Sequence, residues 1–363
     1  MASPTWLRLP AAVSMTLLVV CACLVSPATA GDWHGDAIHV NAGESIQAAI
    51  DTAKPGQMII VEAGTYAEQL AVGTDGLRLV SKGAVLVPPH SPVQNTCSGL
   101  AGPDTEAGIC VTGQNIELAD FVVEHRKVLS VGQPVKDVVV AGFQVQGFSG
   151  LNIAVVGGQA VQVVGNTLQD GTQYGVLTVG SKSTHIDANI VASTGDLLYI
   201  GVCMDDLSDV QITNNHVTNY AVGLCVQTDD AYLYNNQITD TCWGVFVDPG
   251  TLGVHVLGNH ISSPNPICAT FPDPSLSGVL LAGASGTEIK GNTVEDMTAG
   301  GVPNVLAGGI GIVDDPITGE TSSGNTVTGN VLRNNDIDIY VQTNGTGNVV
   351  VGNQCTTPAE LCS

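Results

Sequence analysis

Basic residues and aromatics are the scarcest features of this 363-residue chain: it holds 10 Lys and Arg against 33 Asp and Glu, and aromatics make up 4%. The resulting formal charge of −23 excludes the clustered cations that nucleic acids and anionic membrane surfaces require. It also weighs against unassisted binding of a polyanionic glycan. No Gly-x-Ser-x-Gly elbow, phosphate-binding Walker loop or metal-binding His pair occurs, which removes hydrolases of those kinds, nucleotide enzymes and zincins. Long apolar runs are missing too, apart from residues 11–25. That run follows Arg8 and precedes the small-residue pattern Ala28-Thr29-Ala30, so residues 1–30 read as a cleaved signal peptide. The mature chain, residues 31–363, contains no Pro/Ser-rich linker and is expected to be one secreted, extracellular domain.

Cysteine is present in a number that suits export. Ten occur, two of them in the signal segment, and an even eight remain: Cys97, Cys110, Cys203, Cys225, Cys242, Cys268, Cys355 and Cys362. None has the Cys/His spacing of a zinc site, so four disulfides are expected.

What fills the chain is a repeat. A phrase of the form small-Asn-x-apolar occurs as Gly165-Asn166-Thr167-Leu168, Ala188-Asn189-Ile190-Val191, Asn214-Asn215-His216-Val217 and Asn235-Asn236-Gln237-Ile238. It recurs around Asn259, Asn292 and Asn330, and in degenerate form at Asn353. Positions 120 and 142 hold the same phase without asparagine. Most steps lie near 22 residues, and two longer ones imply insertions at residues 263–276 and 299–323. A second phrase, Gly-apolar-x-apolar, follows each asparagine, as in Gly201-Val202-Cys203-Met204 and Gly223-Leu224-Cys225-Val226. Its alternation sends apolar pairs inward and the intervening residue outward. The chain is thus all-β, a parallel solenoid of about ten coils. Asparagine suits the left-handed turns between strands, and its amides can ladder from coil to coil.

An end strand must be covered. Asn41 and Glu44 form a candidate capping box ahead of Ile46, Ala49, Ile50 and Ala53 on one helical face, and Met58-Ile59-Ile60-Val61 reads as the first strand. The opening Ser45-Ile46-Gln47-Ala48-Ala49-Ile50-Asp51, Pro55-Gly56, Ile60-Val61 and Ala63-Gly64-Thr65-Tyr66 resembles that of pectin-lyase-like right-handed β-helix proteins. The resemblance covers nearly the whole mature chain and implies a right-handed parallel β-helix with an N-terminal capping helix. Members include lyases, polygalacturonases, epimerases and phage tailspikes, so it implies a polysaccharide partner without selecting a reaction. Asp205-Asp206 and Asp229-Asp230 match the paired aspartates of polygalacturonases, but their Gly-His-Gly and Arg-x-Lys motifs are missing. Asp248-Pro249-Gly250 lacks the histidine of the Asp-Pro-His motif of alginate epimerases.

Aligning the second phrase across coils yields outward columns. One reads Leu177, Cys203, Cys225, Phe246, Leu280, Tyr340, which places Cys203 and Cys225 within disulfide reach. The remaining pairs are then Cys97–Cys110, Cys242–Cys268 and Cys355–Cys362. Two residues later come Val179, Asp205, Gln227, Asp248, Ala282 and Gln342. Asp205 and Asp248, two coils apart, should have backbones about 9.6 Å apart, compatible with the acid and base of an inverting glycosidase. Gln227 lies between them, and Tyr199, Tyr220 and Trp243 precede the same strands as candidate sugar platforms.

Asp206, Asp229 and Asp230 follow those strands as candidate Ca²⁺ ligands, since carboxylates beside an amide suit that ion; otherwise no cofactor is expected. Glu124-His125-Arg126-Lys127 reads as a solvated charged edge. With Lys182 the only cation expected near the aspartates, a glycoside hydrolase is favoured over a lyase. The alternative is a non-catalytic extracellular β-helix that binds glycan or serves as a structural module, and a monomer is expected. The sequon Asn344-Gly345-Thr346 places a candidate N-glycosylation site on an exposed turn.

Overall fold

The computed structural model describes residues 37–272 and 274–362; the expected signal peptide lies outside them. Three long sheets, of twelve, ten and ten strands, run the length of the chain, and every pairing within them is parallel. Each turn of the chain adds one strand to each sheet, which makes the protein a parallel β-helix. Inside, like residues stack on like. Val163, Ile186, Ile212, Leu233 and Val256 form a column in the first sheet, and Leu168, Val191, Val217, Ile238 and Ile261 form one in the second. All of them are fully buried, each stabilising the fold by roughly 1.5–3 kcal/mol relative to exposure.

The asparagine ladder is complete from Asn166 to Asn353. In each pair the side-chain amide N–H of one asparagine donates to Oδ1 of the next, at 2.9–3.1 Å. Each Oδ1 also accepts the previous asparagine's backbone N–H. The left-handed backbone belongs to the residue before each asparagine, such as Ala188, Asn214 and Asn235. Asparagine is therefore selected for its amide, and its small predecessor for the turn.

Several expectations are corrected. The helix Ile46–Thr52 is capped by Ser45, whose hydroxyl accepts from the Ala48 N–H, while Glu44 closes a turn back to the Asn41 N–H. Met58–Val61 is indeed a strand, but Ile38–Val40 precedes the helix and pairs with it. The expected insertion at residues 299–323 contains the regular strand Leu306–Val313. Its outward positions Gly308 and Gly311 were illegible as a strand face because they are bare: the Tyr340 ring lies over them, where a Cβ would sit within 2.4 Å of ring atoms. Residues 119–123 are not a coil at all. They belong to the tip of an antiparallel hairpin, Gln114–Leu118 with Val128–Gln133, that leaves the solenoid.

All four expected disulfides are formed: Cys97–Cys110, Cys203–Cys225, Cys242–Cys268 and Cys355–Cys362. Cys203 and Cys225 are register partners with Cα atoms 4.5 Å apart. At the C-terminal end Asp338 accepts the Thr356 and Thr357 N–H groups, tying the closing loop to the last coil.

Candidate active site

The third sheet carries the site on its outer face. Its strands Tyr174–Val179, Leu198–Asp205, Tyr220–Val226 and Trp243–Val247 are in the expected register, with Leu177, Cys203, Cys225 and Phe246 in one row. Beyond the strand ends the pairing continues: the Gln227 N–H donates to Met204 O and the Asp248 N–H to Val226 O. Asp205, Gln227 and Asp248 thereby stand side by side on three successive coils.

The hairpin folds back onto this face. Ile116, Leu118 and Val128 pack on an outer apolar cluster that includes Leu151, Val156, Tyr174 and Val179. Gly180 permits the contact, because a Cβ there would lie 2.7 Å from Val128. Arg126 braces the tip: its Nε donates to Ala119 O at 2.7 Å and its backbone N–H to Leu100 O at 2.8 Å. The tip thereby delivers Glu124, His125 and Lys127 to the aspartates.

The His125 side chain is 1% exposed, so the expected solvated edge is overturned at this residue. Its Nε2 lies 3.0 Å from Asp205 Oδ2, and its Nδ1 lies 3.4 Å from the Tyr174 hydroxyl. An ionised carboxylate only accepts, which puts the imidazole proton on Nε2 and lets Nδ1 accept from Tyr174. Lys127 Nζ reaches Asp205 Oδ2 at 2.9 Å and donates to Gln227 Oε1 at 2.9 Å. The Gln227 amide donates to Asp248 Oδ2 at 2.6 Å and to Glu124 Oε2 at 2.9 Å. Lys127 and Gln227 therefore bridge the two aspartates, and Lys127 takes the place that Lys182 was expected to fill.

The two carboxyls are set in opposite directions. Burial alone would raise Asp205, but the hydrogen bonds from His125 and Lys127 outweigh it and hold Asp205 below the ordinary carboxylate value. Burial and the nearby Glu124 charge push Asp248 up to about 7, against the opposing Gln227 hydrogen bond and Lys127 charge. Both contacts to Asp205 fall on Oδ2. Between the ordinary carboxylate range and about pH 7, Asp205 is charged while Asp248 still carries a proton.

The other expected residues divide. Tyr199 is exposed and stands edge-on to Tyr174, with ring centroids 6.3 Å apart. Trp243 is half-buried and stacks on Phe246 at 5.0 Å. Both line a cavity of about 590 Å³ at the start of these strands. Tyr220 is no sugar platform: it is fully buried in the solenoid core and its hydroxyl donates to Gly171 O.

The aspartates expected to hold calcium do not share a site. Asp206 is buried and accepts the Ser181 N–H, Asp229 accepts the Leu252 N–H, and Asp230 occupies a left-handed turn. Among the described residues no three His, Cys, Asp or Glu side chains converge on a point that could hold a metal. Asn344 is exposed, as expected, with its amide donating to Asp314.

Sequence reasoning missed Tyr174, Glu124, His125 and Lys127 as members of the site. A signal existed. Leu151 pairs with Ala107, a step nearly twice that from Leu151 to Tyr174, and assigning position 120 to a coil concealed the extra segment.

The family profile described as "Right handed beta helix region" matches residues 92–261, 149–312 and 200–359. No curated protein sequence matches the chain. Among solved structures, the A-module of a mannuronan C-5 epimerase from Azotobacter vinelandii is similar at 17% identity and TM-score 0.61, covering 86% of this chain and 91% of that one. A family 28 exopolygalacturonase from Yersinia enterocolitica is similar at 15% identity and TM-score 0.53, over 86% and 76%. The Dettilon tailspike protein is similar at 13% identity and TM-score 0.51, over 87% and 66%. Coils, ladder and profile agree, and the chain belongs to the right-handed β-helix family.

Proposed function

We propose that this protein is an exported glycoside hydrolase acting on a neutral polysaccharide, with Asp248 as general acid and Asp205 as general base. The observation that carries the reading is the opposite setting of two carboxyls on one row, one held ionised and one raised to about 7. Such a split is how two like groups take different roles. Asp248 protonates the leaving glycosidic oxygen, Asp205 accepts a proton from the attacking water, and solvent restores both.

Charge supports a neutral substrate. Glu124 and Asp248 meet at the Gln227 amide beside Asp205, and Lys127, the lysine of this cluster, is already shared between Asp205 and Gln227. A uronate would meet more negative charge than positive. Tyr199 and Trp243 keep ring surface accessible at the start of these strands, as the buried Tyr220 does not. The exopolygalacturonase and the mannuronan epimerase are polysaccharide enzymes by name, and we carry that substrate class to this chain. Four disulfides and the signal-like N-terminus support an extracellular location.

The test is reducing-end release from a panel of neutral and uronic glycans, with Asp205→Asn and Asp248→Asn as controls. Release from a neutral glycan that both substitutions abolish supports the reading. An unsaturated product absorbing in the ultraviolet would replace it with a lyase, and glycan binding without any product would replace it with a binding module.

A further inference from the structure

The cavity beside the site differs in kind from the site itself. It is lined by Leu197, Leu198, Val222, Trp243, Phe271 and Pro272, with polar side-chain groups from Thr172, Gln173 and Ser275 besides the Tyr199 phenol and the Trp243 indole N–H, which is buried without a partner. The loop that walls it, residues 266–272, begins with the 3₁₀ turn Pro266–Thr270 and is fastened to the sheet by Cys242–Cys268. The wall is thus built and anchored.

A pyranose carries a hydroxyl on most of its carbons. Buried among these side chains, most of those hydroxyls would lose water without gaining a partner. The occupant that fits is apolar, and about 590 Å³ lies within the range of small-molecule sites.

The cavity is linked to the site by packed rings and by shared strands. Tyr199 forms part of its wall and meets Tyr174 edge-on, and the Tyr174 hydroxyl meets His125. Tyr199 and Asp205 are on one strand, and Trp243 begins the strand that leads to Asp248. From Trp243 to Asp248 is about 16 Å of extended chain, so one ligand several rings long spans both.

We propose that this cavity is a subsite for an apolar group, alkyl, acyl or aryl, borne by the saccharide whose sugar lies over Asp205 and Asp248. The natural substrate is then an amphiphilic glycoside or an acylated glycan. This rests on the hydrolase reading for the position of the sugar, but the apolar preference is measurable without turnover.

The experiment compares methyl and octyl glucosides of both anomers on the mature chain, by saturation-transfer NMR and tryptophan fluorescence. The octyl compound should bind at least about tenfold more tightly, as expected for burying several methylenes, with saturation concentrated on its alkyl chain. Leu197→Ser and Phe271→Ser, both on the cavity wall, should each remove most of that preference; the exposed Phe271→Ser should leave the thermal midpoint in place, while Leu197→Ser should lower it because Leu197 also packs on the core. Asp248→Asn should keep it, so a failure of the hydrolase reading is distinguishable from a failure of this one. Equal affinity for methyl and octyl glucosides would overturn the proposal. A preference that survives both wall substitutions would overturn it as well, because the alkyl chain would then bind elsewhere, or between two copies of the protein.

Discussion

His125 Nε2 lies 3.0 Å from Asp205 Oδ2 across 80 residues of sequence. The imidazole is buried, its other nitrogen faces the Tyr174 hydroxyl, and the same carboxylate oxygen also meets Lys127. One oxygen of the proposed base is therefore immobilised by two groups that both come from the hairpin. The base is positioned by the insertion and not by the coil that bears it.

Removing either carboxylate should stop the chemistry. Asp205→Asn and Asp248→Asn are each expected to lower turnover by about 10²–10⁴-fold, the usual share of general acid–base catalysis. Circular dichroism should show an unchanged β-helix in both.

The pH profile should be a plateau bounded by these two groups. Activity needs Asp205 ionised and Asp248 protonated. It should fall on the alkaline side near pH 7, where Asp248 loses its proton, and on the acid side only below the ordinary carboxylate range. Lys127→Met removes one of the groups that keep Asp205 low. Its acid limb should move to higher pH, and the alkaline limb should move the same way by a smaller amount, because the Lys127 charge also holds Asp248 down.

Asp206 offers a stability test separate from activity. Burial raises it from 3.8 to about 6, despite the hydrogen bonds it accepts. Its folded value exceeds its unfolded one, so the folded chain holds the extra proton between those values. Its contribution becomes more favourable as pH falls from above 6 toward 4, and the buried charge is fully costly above 6. Asp206→Asn should therefore raise the thermal midpoint at pH 8, by up to about 3 kcal/mol in stability, and leave it nearly unchanged at pH 4. Equal shifts at both pH values would contradict the assignment.

The ladder makes a third kind of prediction. Asn236 accepts from the backbone and side chain of Asn215 and donates to Ile212 O and Asn259 Oδ1. Asn236→Ala leaves several buried groups unpaired, at about 1–3 kcal/mol each, and should cost more than Asn235→Ala on the surface beside it. Chemical denaturation of the two variants decides this.

Most of the solenoid was legible in the sequence because its interior repeats: Asn166 through Asn353 recur at steps of 21–26 residues apart from two longer ones, and the Gly-apolar-x-apolar phrase sets register one coil at a time. Asp205, Gln227 and Asp248 could be aligned for the same reason. Where a coil broke the pattern, reading failed. Gly308 and Gly311 showed no outward side chain to count. Tyr220 and Tyr199 look alike at strand starts, yet one fills the core and the other faces solvent. The hairpin was invisible as a contributor because the side-chain hydrogen bonds of its tip to the site reach 49 to 103 residues ahead, a relation that no local period encodes.

That separation has a consequence for how the molecule is made. The hairpin leaves the solenoid after the strand Ala107–Thr112, before any of the strands that receive it. In an exported chain that emerges N-terminus first, His125 waits for Tyr174 and Asp205, and Glu124 waits longer still for Gln227. Coil stacking needs only the preceding coil as template, so it can advance while the hairpin is still undocked. Docking of the tip therefore cannot be completed before the coils beneath it exist, and a chain arrested before Asp248 would have its ladder begun but the proposed acid–base pair incomplete.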